Sequence, residues 1–281
     1  MLGHKLVQIL RHKFDLWTTL RSNFKEYADT GIYDGETTVE NVDVENFSTI
    51  EKVVIELQPD VIVNAVGIIK QLPSAKNVIK TLRVNSIFPH QMAEISSQRG
   101  IRLITISTDC VFNGKKGRYL ESDISDAEDL YGKSKYLGEV STENCLTIRT
   151  SIIGRELNTA HSLIEWFLSN EGKSIKGYTK AIYTGLPTLI LAEIIGNIIE
   201  NHPRLQGLYH ISSEPISKND LLKLVKDAYR VNVEIEPCGD FEIDRSLDSA
   251  KFRKITGFEP LTWREMIDKM AADNAPYQKR K

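Results

Sequence analysis

Cysteine is scarce in this 281-residue chain: there are three, Cys110, Cys145 and Cys238. They are scattered without the spacing of metal ligands, and an odd number cannot close a disulfide framework, so the expected setting is a reducing cytoplasm with no metal site. Long apolar runs are also missing. None reaches the length of a membrane span, and the first residues lack the apolar core of a secretory leader, so neither insertion nor export is expected. Excess charge of one sign is absent too: 36 basic residues face 38 acidic ones, a formal net charge of -2. That balance leaves no electrostatic footprint for nucleic acid or a membrane surface. The basic end Gln278-Lys279-Arg280-Lys281 reads as a solvated terminus. Internal repeats and low-complexity linkers are lacking as well.

What remains has the composition of an ordinary globular protein, 41% hydrophobic and 26% charged, long enough for one large domain or two intimate ones. Apolar positions 2, 6, 9 and 10 follow helical spacing, so the chain opens on an amphipathic helix. A short strand over residues 14–20 follows, then Val42-Asp43-Val44 as a strand end running into a helix over 47–57. Residues 59–65, led by Pro59 and rich in β-branched side chains, read as a buried parallel strand. A long helix over about 74–98 stops at Gly100; a strand over 101–107, a loop, the helix containing Tyr131 and a strand over 145–150 complete the series. Strands alternating with helices predict right-handed crossovers and a Rossmann-like, doubly wound α/β fold with a parallel sheet. Beyond Thr150 the alternation weakens: helices near 162–169 and 189–199, a strand over 207–212, a β-like stretch at 231–235 and a closing helix after Trp263. The predicted division is a dinucleotide-binding domain of residues 1–155, which also receives about 183–212, and a smaller interwoven lobe of 156–182 and 213–281.

The most informative stretch is Tyr131-Gly132-Lys133-Ser134-Lys135. A Tyr and a Lys four apart share one helix face, where the ammonium can lower the phenol's pKa and prepare it to exchange a proton. Thr108, at the carboxyl end of a neighbouring strand, can hydrogen-bond the same substrate oxygen. Such a set moves a hydride on or off a carbon bearing that oxygen. The same spacing also fits a solvated helix face.

Taken in order, Asn64-Ala65-Val66-Gly67, Val84-Asn85, Ser107-Thr108-Asp109-Cys110-Val111-Phe112-Asn113-Gly114, Tyr131 to Glu139, Arg149-Thr150-Ser151 and Arg245-Ser246-Leu247-Asp248 give the chain a family likeness along nearly its whole length. It resembles an extended short-chain dehydrogenase/reductase, most closely the dTDP-4-dehydrorhamnose reductase group. The resemblance implies that Tyr131 protonates the keto oxygen, that Lys135 holds the nicotinamide ribose and depresses the Tyr131 pKa, and that Thr108 hydrogen-bonds the carbonyl. It implies a dinucleotide lying against Gly3, Asn64, Ala65, Val66, Gly67 and Ser151, with Asp43 and Val44 flanking the adenine. Asn64 to Gly67 also fit a plain strand-to-loop turn, and Asn85 is either a cofactor contact or a brace for the active-site strand. Arg21, 18 residues after Gly3, stands where an Arg would select the extra phosphate of NADPH; NAD stays an alternative, and so does an exposed basic loop. The expected partner is a nucleotide-sugar, with a homodimer allowed. Lys70, Arg155, Asn158, His161, Trp166 and Arg245 are candidates to face the cleft.

Two departures from the family pattern stand out. Cys110 occupies a position where these reductases more often carry Tyr and the sugar 4,6-dehydratases carry Glu, which disfavours dehydration. The pattern also begins with a strand and a T-G-x-x-G-x-x-G loop, of which only Gly3 is present. The expectations drawn from this are about a dozen further residues upstream, a gap in the sheet flanked by unpaired edges, and weak cofactor binding by residues 1–281 alone. The implied activity is NADPH-dependent reduction of a nucleotide-linked 4-keto-6-deoxyhexose for deoxysugar and polysaccharide synthesis. The alternatives are a sugar-nucleotide epimerase or epimerase-reductase, or a non-catalytic NADP-binding subunit, since the resemblance extends to the regulatory β subunit of methionine adenosyltransferase.

Overall fold

The computed structural model describes residues 1–157 and 159–277. Its first helix, α1 (Leu2–Leu10), buries Leu2, Leu6 and Leu10, the stripe that the sequence spacing predicts. The pairs β1 (Thr18–Thr19) and β2 (Thr38–Val39) follow, then α2 (Phe47–Leu57) and β3 (Val61–Asn64). The strand expected over 14–20 is therefore only two residues long. Thr18 pairs with Thr38 and Thr19 with Val39, and the flanking residues have no further partner strand.

The long helix expected over 74–98 is interrupted. A 3-10 turn, Pro73–Lys76, leads to α3 (Val78–Leu82), a π turn over Arg83–Ile87, and α4 (Phe88–Arg99). Pro89 supplies the cause: lacking an N–H, it cannot donate to the carbonyl of Asn85, and the turn widens so that the Phe88 amide reaches back to Arg83. Gly100, in the left-handed region at φ 68, closes α4.

Then come β4 (Arg102–Thr108), α5 (Leu130–Leu137), β5 (Cys145–Thr150), β6 (Ile152–Ile153), α6 (Leu163–Leu168), β7 (Ser174–Tyr183), β8 (Leu186–Pro187), α7 (Thr188–Asn201) and β9 (Gly207–His210). The chain finishes with β10 (Ile216–Ser217), α8 (Lys218–Tyr229), β11 (Glu234–Asp244), α9 (Ala250–Thr256) and α10 (Trp263–Ala271). The β-like stretch expected at 231–235 is displaced: the strand begins at Glu234 and runs to Asp244, pairing in parallel with β7.

The main sheet has the order β3-β4-β5-β9, all parallel. Consecutive residues of β4 point to opposite faces. Ile104 joins α1 and α7 through Leu6, Leu10, Ile195 and Ile198, whereas Leu103 joins α2 and α4 through Ile50, Val54, Phe88 and Met92. Helices on both faces of a parallel sheet make this a doubly wound α/β fold. Among the described residues β1 pairs with β2 alone, and β3 with β4 alone, so the two strand sets are separate sheets. A second sheet, β10-β7-β11, is assembled from the later part of the chain. Among the described residues no helix is long and apolar enough to cross a membrane.

Candidate active site

Helix α5 is aimed by its own amino end. Asp129 caps it, its Oδ1 accepting from the Gly132 amide at 2.8 Å. Its other carboxylate oxygen takes the Lys70 ammonium at 2.6 Å, and that Nζ also lies 5.6 Å from the centre of the Tyr131 ring. Gly132 lets the helix press on the segment after β4. A Cβ there would lie 2.2 Å from the Cys110 carbonyl oxygen and 2.5 Å from the Ala127 methyl group. The Tyr131 phenol is thereby brought into the neighbourhood of the Thr108 hydroxyl at the end of β4.

One turn along α5, Lys135 is buried, and its Nζ donates to the carbonyl oxygen of Ile106 at 2.6 Å. Removal from water lowers its pKa to about 8, opposed by Glu139. The sequence expectation that Lys135 depresses the Tyr131 phenol is not met. Burial pushes the phenol above its ordinary value, with Cys110 acting in the same direction and Thr108 opposing. The ammonium is tied to the strand rather than to the phenol.

Thr108 is more committed than the sequence suggests. Its Oγ1 accepts from the Cys110 amide at 3.1 Å and donates to Asp109 Oδ1 at 3.0 Å. Asp109 is 7% exposed. Burial raises its pKa, while Thr108, Arg245, Cys110 and Ser151 act against that rise. Burial likewise takes the Cys110 thiol up to about 11, which leaves it a poor nucleophile.

Gly67 is brought close to this group: a Cβ there would be 4.0 Å from Lys135 Nζ and 3.5 Å from Asn85 Oδ1. Asn85 is a brace. Its side chain accepts from the Ile68 amide at 2.8 Å and donates to the Ile68 carbonyl and to Ser134 Oγ. Asn64 is tied inward, donating to Thr105 Oγ1 and accepting from the Val66 amide. Ala65 is half-buried, while Val66 and Gly67 lie open on the surface beyond β3. Ser151 stands beside both Asp109 and Tyr183. Gly3 is exposed on the first turn of α1, with open space around it.

Arg21 is exposed just beyond β1. Asp43 and Val44 follow β2; Asp43 accepts from the Glu45 amide, and Val44 packs beside Val42 and Ile50. Of the wider candidates, Lys70 and Arg245 reach the Tyr131 neighbourhood. Arg245 Nε donates to the Phe112 carbonyl at 2.8 Å, and its Nη1 meets Cys110 Sγ at 3.7 Å. Arg155 is spent on Glu165 and the ring of Tyr277. The His161 amide donates to Glu156, and Trp166 lies on exposed α6 surface. Asn158 and residues 278–281 lie outside the described residues.

Sequence reasoning assigned no role to Asp109, Lys218 or Tyr183. Lys218 starts α8 and lies electrostatically close to Asp109, Cys110 and Arg245. The Tyr183 hydroxyl is buried beside Ser151, near the same carboxyl group. Asp109 carried a signal, a carboxylate directly after the candidate Thr; Lys218 and Tyr183 carried none, because only the fold brings the second half of the chain here.

A family model described as the RmlD substrate binding domain matches residues 16–275. The chain belongs to this family. Among its relatives, the spore coat polysaccharide biosynthesis protein SpsK of Bacillus subtilis is 31% identical over 166 residues, 57% of this chain and 57% of that protein. A dTDP-4-dehydrorhamnose reductase of Aggregatibacter actinomycetemcomitans is 24% identical over 280 residues, covering 90% of this chain and 94% of its own. The solved structure of a hypothetical dTDP-4-dehydrorhamnose reductase from Sulfolobus tokodaii superposes with a TM-score of 0.76 at 26% identity, covering 93% and 94% of the two chains. This RmlD-family member thus has the fold of sugar-nucleotide reductases, and its Thr108, Tyr131 and Lys135 come together at the end of the strand series.

Proposed function

We propose that this RmlD-family protein is a reductase that uses NADPH to reduce a nucleotide-linked 4-keto-6-deoxyhexose, in the synthesis of deoxysugars for polysaccharide. One observation carries the reading: the Tyr131 phenol stands beside Thr108 at the carboxyl end of β4, and Lys135 is anchored on the carbonyl of the same strand. The residues fit the reacting end of a dinucleotide. Gly67 is exposed and lacks the Cβ that would stand 4.0 Å from Lys135 Nζ, which leaves room for a close approach. Lys135 and Tyr131 would hold the nicotinamide ribose, Asn64 to Gly67 and Ser151 the backbone of the cofactor near it, Asp43 and Val44 the adenine, and Arg21 the additional phosphate. Gly3 would face the pyrophosphate from the start of α1.

When bound, NADPH supplies the hydride that the carbonyl carbon takes up. Tyr131 gives its phenolic proton to the carbonyl oxygen as that oxygen gains charge. Its raised pKa favours retention of the proton until that moment, as suits an acid. The Lys135 ammonium, anchored on the Ile106 carbonyl, holds the ribose beside the phenol, and the Thr108 hydroxyl fixes the position of the substrate oxygen. Residues 1–155 with about 183–212 form the cofactor side, and 156–182 with 213–281 the sugar side. A cytoplasmic setting and a homodimer complete the proposal.

Nucleotide-linked 4-ketosugars incubated with the purified protein should consume NADPH in equal amount to the alcohol formed, followed by loss of nicotinamide absorbance. Isomerisation without net NADPH loss would identify an epimerase. A folded protein that binds NADPH yet turns over no ketosugar would favour the non-catalytic subunit.

A further inference from the structure

Thr108 has one proton to give, and in the arrangement observed that proton points at Asp109 Oδ1, 3.0 Å away. A carboxylate can only accept, so ionised Asp109 holds the Thr108 hydrogen and leaves none for a substrate oxygen. A carboxylic acid reverses the bond. Its O–H donates to Thr108 Oγ1, which already accepts from the Cys110 amide on its other lone pair. The Thr108 hydrogen is then free to turn towards the Tyr131 side, and every group in the chain has a partner.

Burial moves Asp109 towards the acid. The side chain is 7% exposed, and removal from water raises its pKa. The groups facing it are Thr108 and Cys110 on its own segment, Ser151 after β5, Tyr131 on α5, Tyr183 on β7, Lys218 at the start of α8 and Arg245 after β11. Two of these are cations, yet Arg245 spends Nε on the Phe112 carbonyl and Nη1 on Cys110 Sγ. Arg245 and Lys218 act on Asp109 through space.

We propose that Asp109, in its carboxylic-acid form, is the positioning residue that aims the Thr108 hydroxyl at the substrate oxygen. The inference rests on the reductase reading above. Asp109 does not touch the substrate; its protonation decides whether Thr108 can donate. Activity should then be present while Asp109 keeps its proton and decline as pH rises through its raised pKa, as a limb separate from that of Lys135.

Asp109→Asn provides the test, because the amide Nδ2 donates to Thr108 at every pH. With a nucleotide-linked ketosugar and NADPH, the variant should lose the Asp109 limb and hold its turnover at pH values where the parent has declined through it. Thr108→Val should lower turnover about tenfold, the worth of one hydrogen bond, and Asp109→Asn should change nothing further in that background. An unchanged limb in Asp109→Asn, or a plateau lowered more than tenfold with NADPH binding and Tm intact, would overturn the proposal. A readout independent of turnover is the infrared carbonyl band of a protonated buried carboxyl group, expected in the parent and missing in Asp109→Asn. Its absence from the parent at neutral pH overturns the inference and leaves the reductase reading standing. A parent that reduces no ketosugar while the band is present sinks the reductase reading instead.

Discussion

The four-stranded sheet and the two-stranded pair beside it perform the same topological task with very different material. In the larger sheet every residue of β5 is buried, and β4 exposes little more than its start. The smaller pair has two residues per strand, none of them buried. Thr108, and Lys135 through the Ile106 carbonyl, are referred to the larger sheet, whereas Arg21, Asp43 and Val44 hang from the ends of the smaller one. Proton transfer tolerates errors of only a fraction of an ångström and is seated where packing allows no movement. On the proposed reading, discrimination between two dinucleotides needs only a charge within reach, and Arg21 offers one at a shallow, solvated edge.

The largest expected difference between the two is in stability. Ile148, fully buried in β5, should cost about 2 to 5 kcal/mol when replaced by Ala. Val39→Ala in β2 should stay within about 1 kcal/mol. Urea midpoints at constant slope measure both, and equal shifts would erase the distinction. Next in size, Tyr131→Phe should lower turnover at least about a hundredfold with NADPH affinity little changed, since only the phenolic oxygen is removed while Lys135 and the other cofactor contacts stay in place. A parental rate in that variant would remove Tyr131 from the chemistry. At the smaller sheet, Arg21→Ala should weaken NADPH by about 1.5 to 3 kcal/mol and leave NADH untouched; equal losses in a binding titration would move the discrimination elsewhere. The smallest effect is a pH limb. Lys135 acts as a cation and its pKa is lowered to about 8, so activity that needs its charge is complete well below that pH and declines as pH rises through it. A profile flat across that range would show the ammonium to be dispensable.

The parts legible in the sequence were those with a local signature. Val61 to Asn64 and Arg102 to Thr108 are runs of β-branched and apolar residues ended by turns, and the Tyr131 to Lys135 spacing survives any packing because the helix alone sets it. What failed depended on distant partners. Residues 14–17 have strand-like composition, but a neighbour is available only to Thr18 and Thr19. Glu234 to Asp244 contains Pro237 and five acids, so its composition argues against a strand; it forms one because it lies on the edge of its sheet, where a missing N–H and exposed carboxylates are tolerated. The partner of Lys135 could not be read either, since a lysine four residues from a tyrosine can lean up to the phenol or down to the strand, and only burial under β4 decides.

The widened turn at Arg83–Ile87 sets a limit on how the gene can change. One residue more than an α-helix would use is accommodated there, and it is what faces the Asn85 amide towards Ile68 and Ser134 while its carbonyl stands where a Cβ on Gly138 would be 1.9 Å away. Deleting one codon in this stretch would let the ladder close up as ordinary α-helix and turn everything after it by about 100°. Phe88 and Met92 would rotate out of the core, and the prop beneath the tyrosine helix would be withdrawn in the same event. Point substitutions at the exposed Arg83 and Ile87 remain open to drift; single-codon deletions do not.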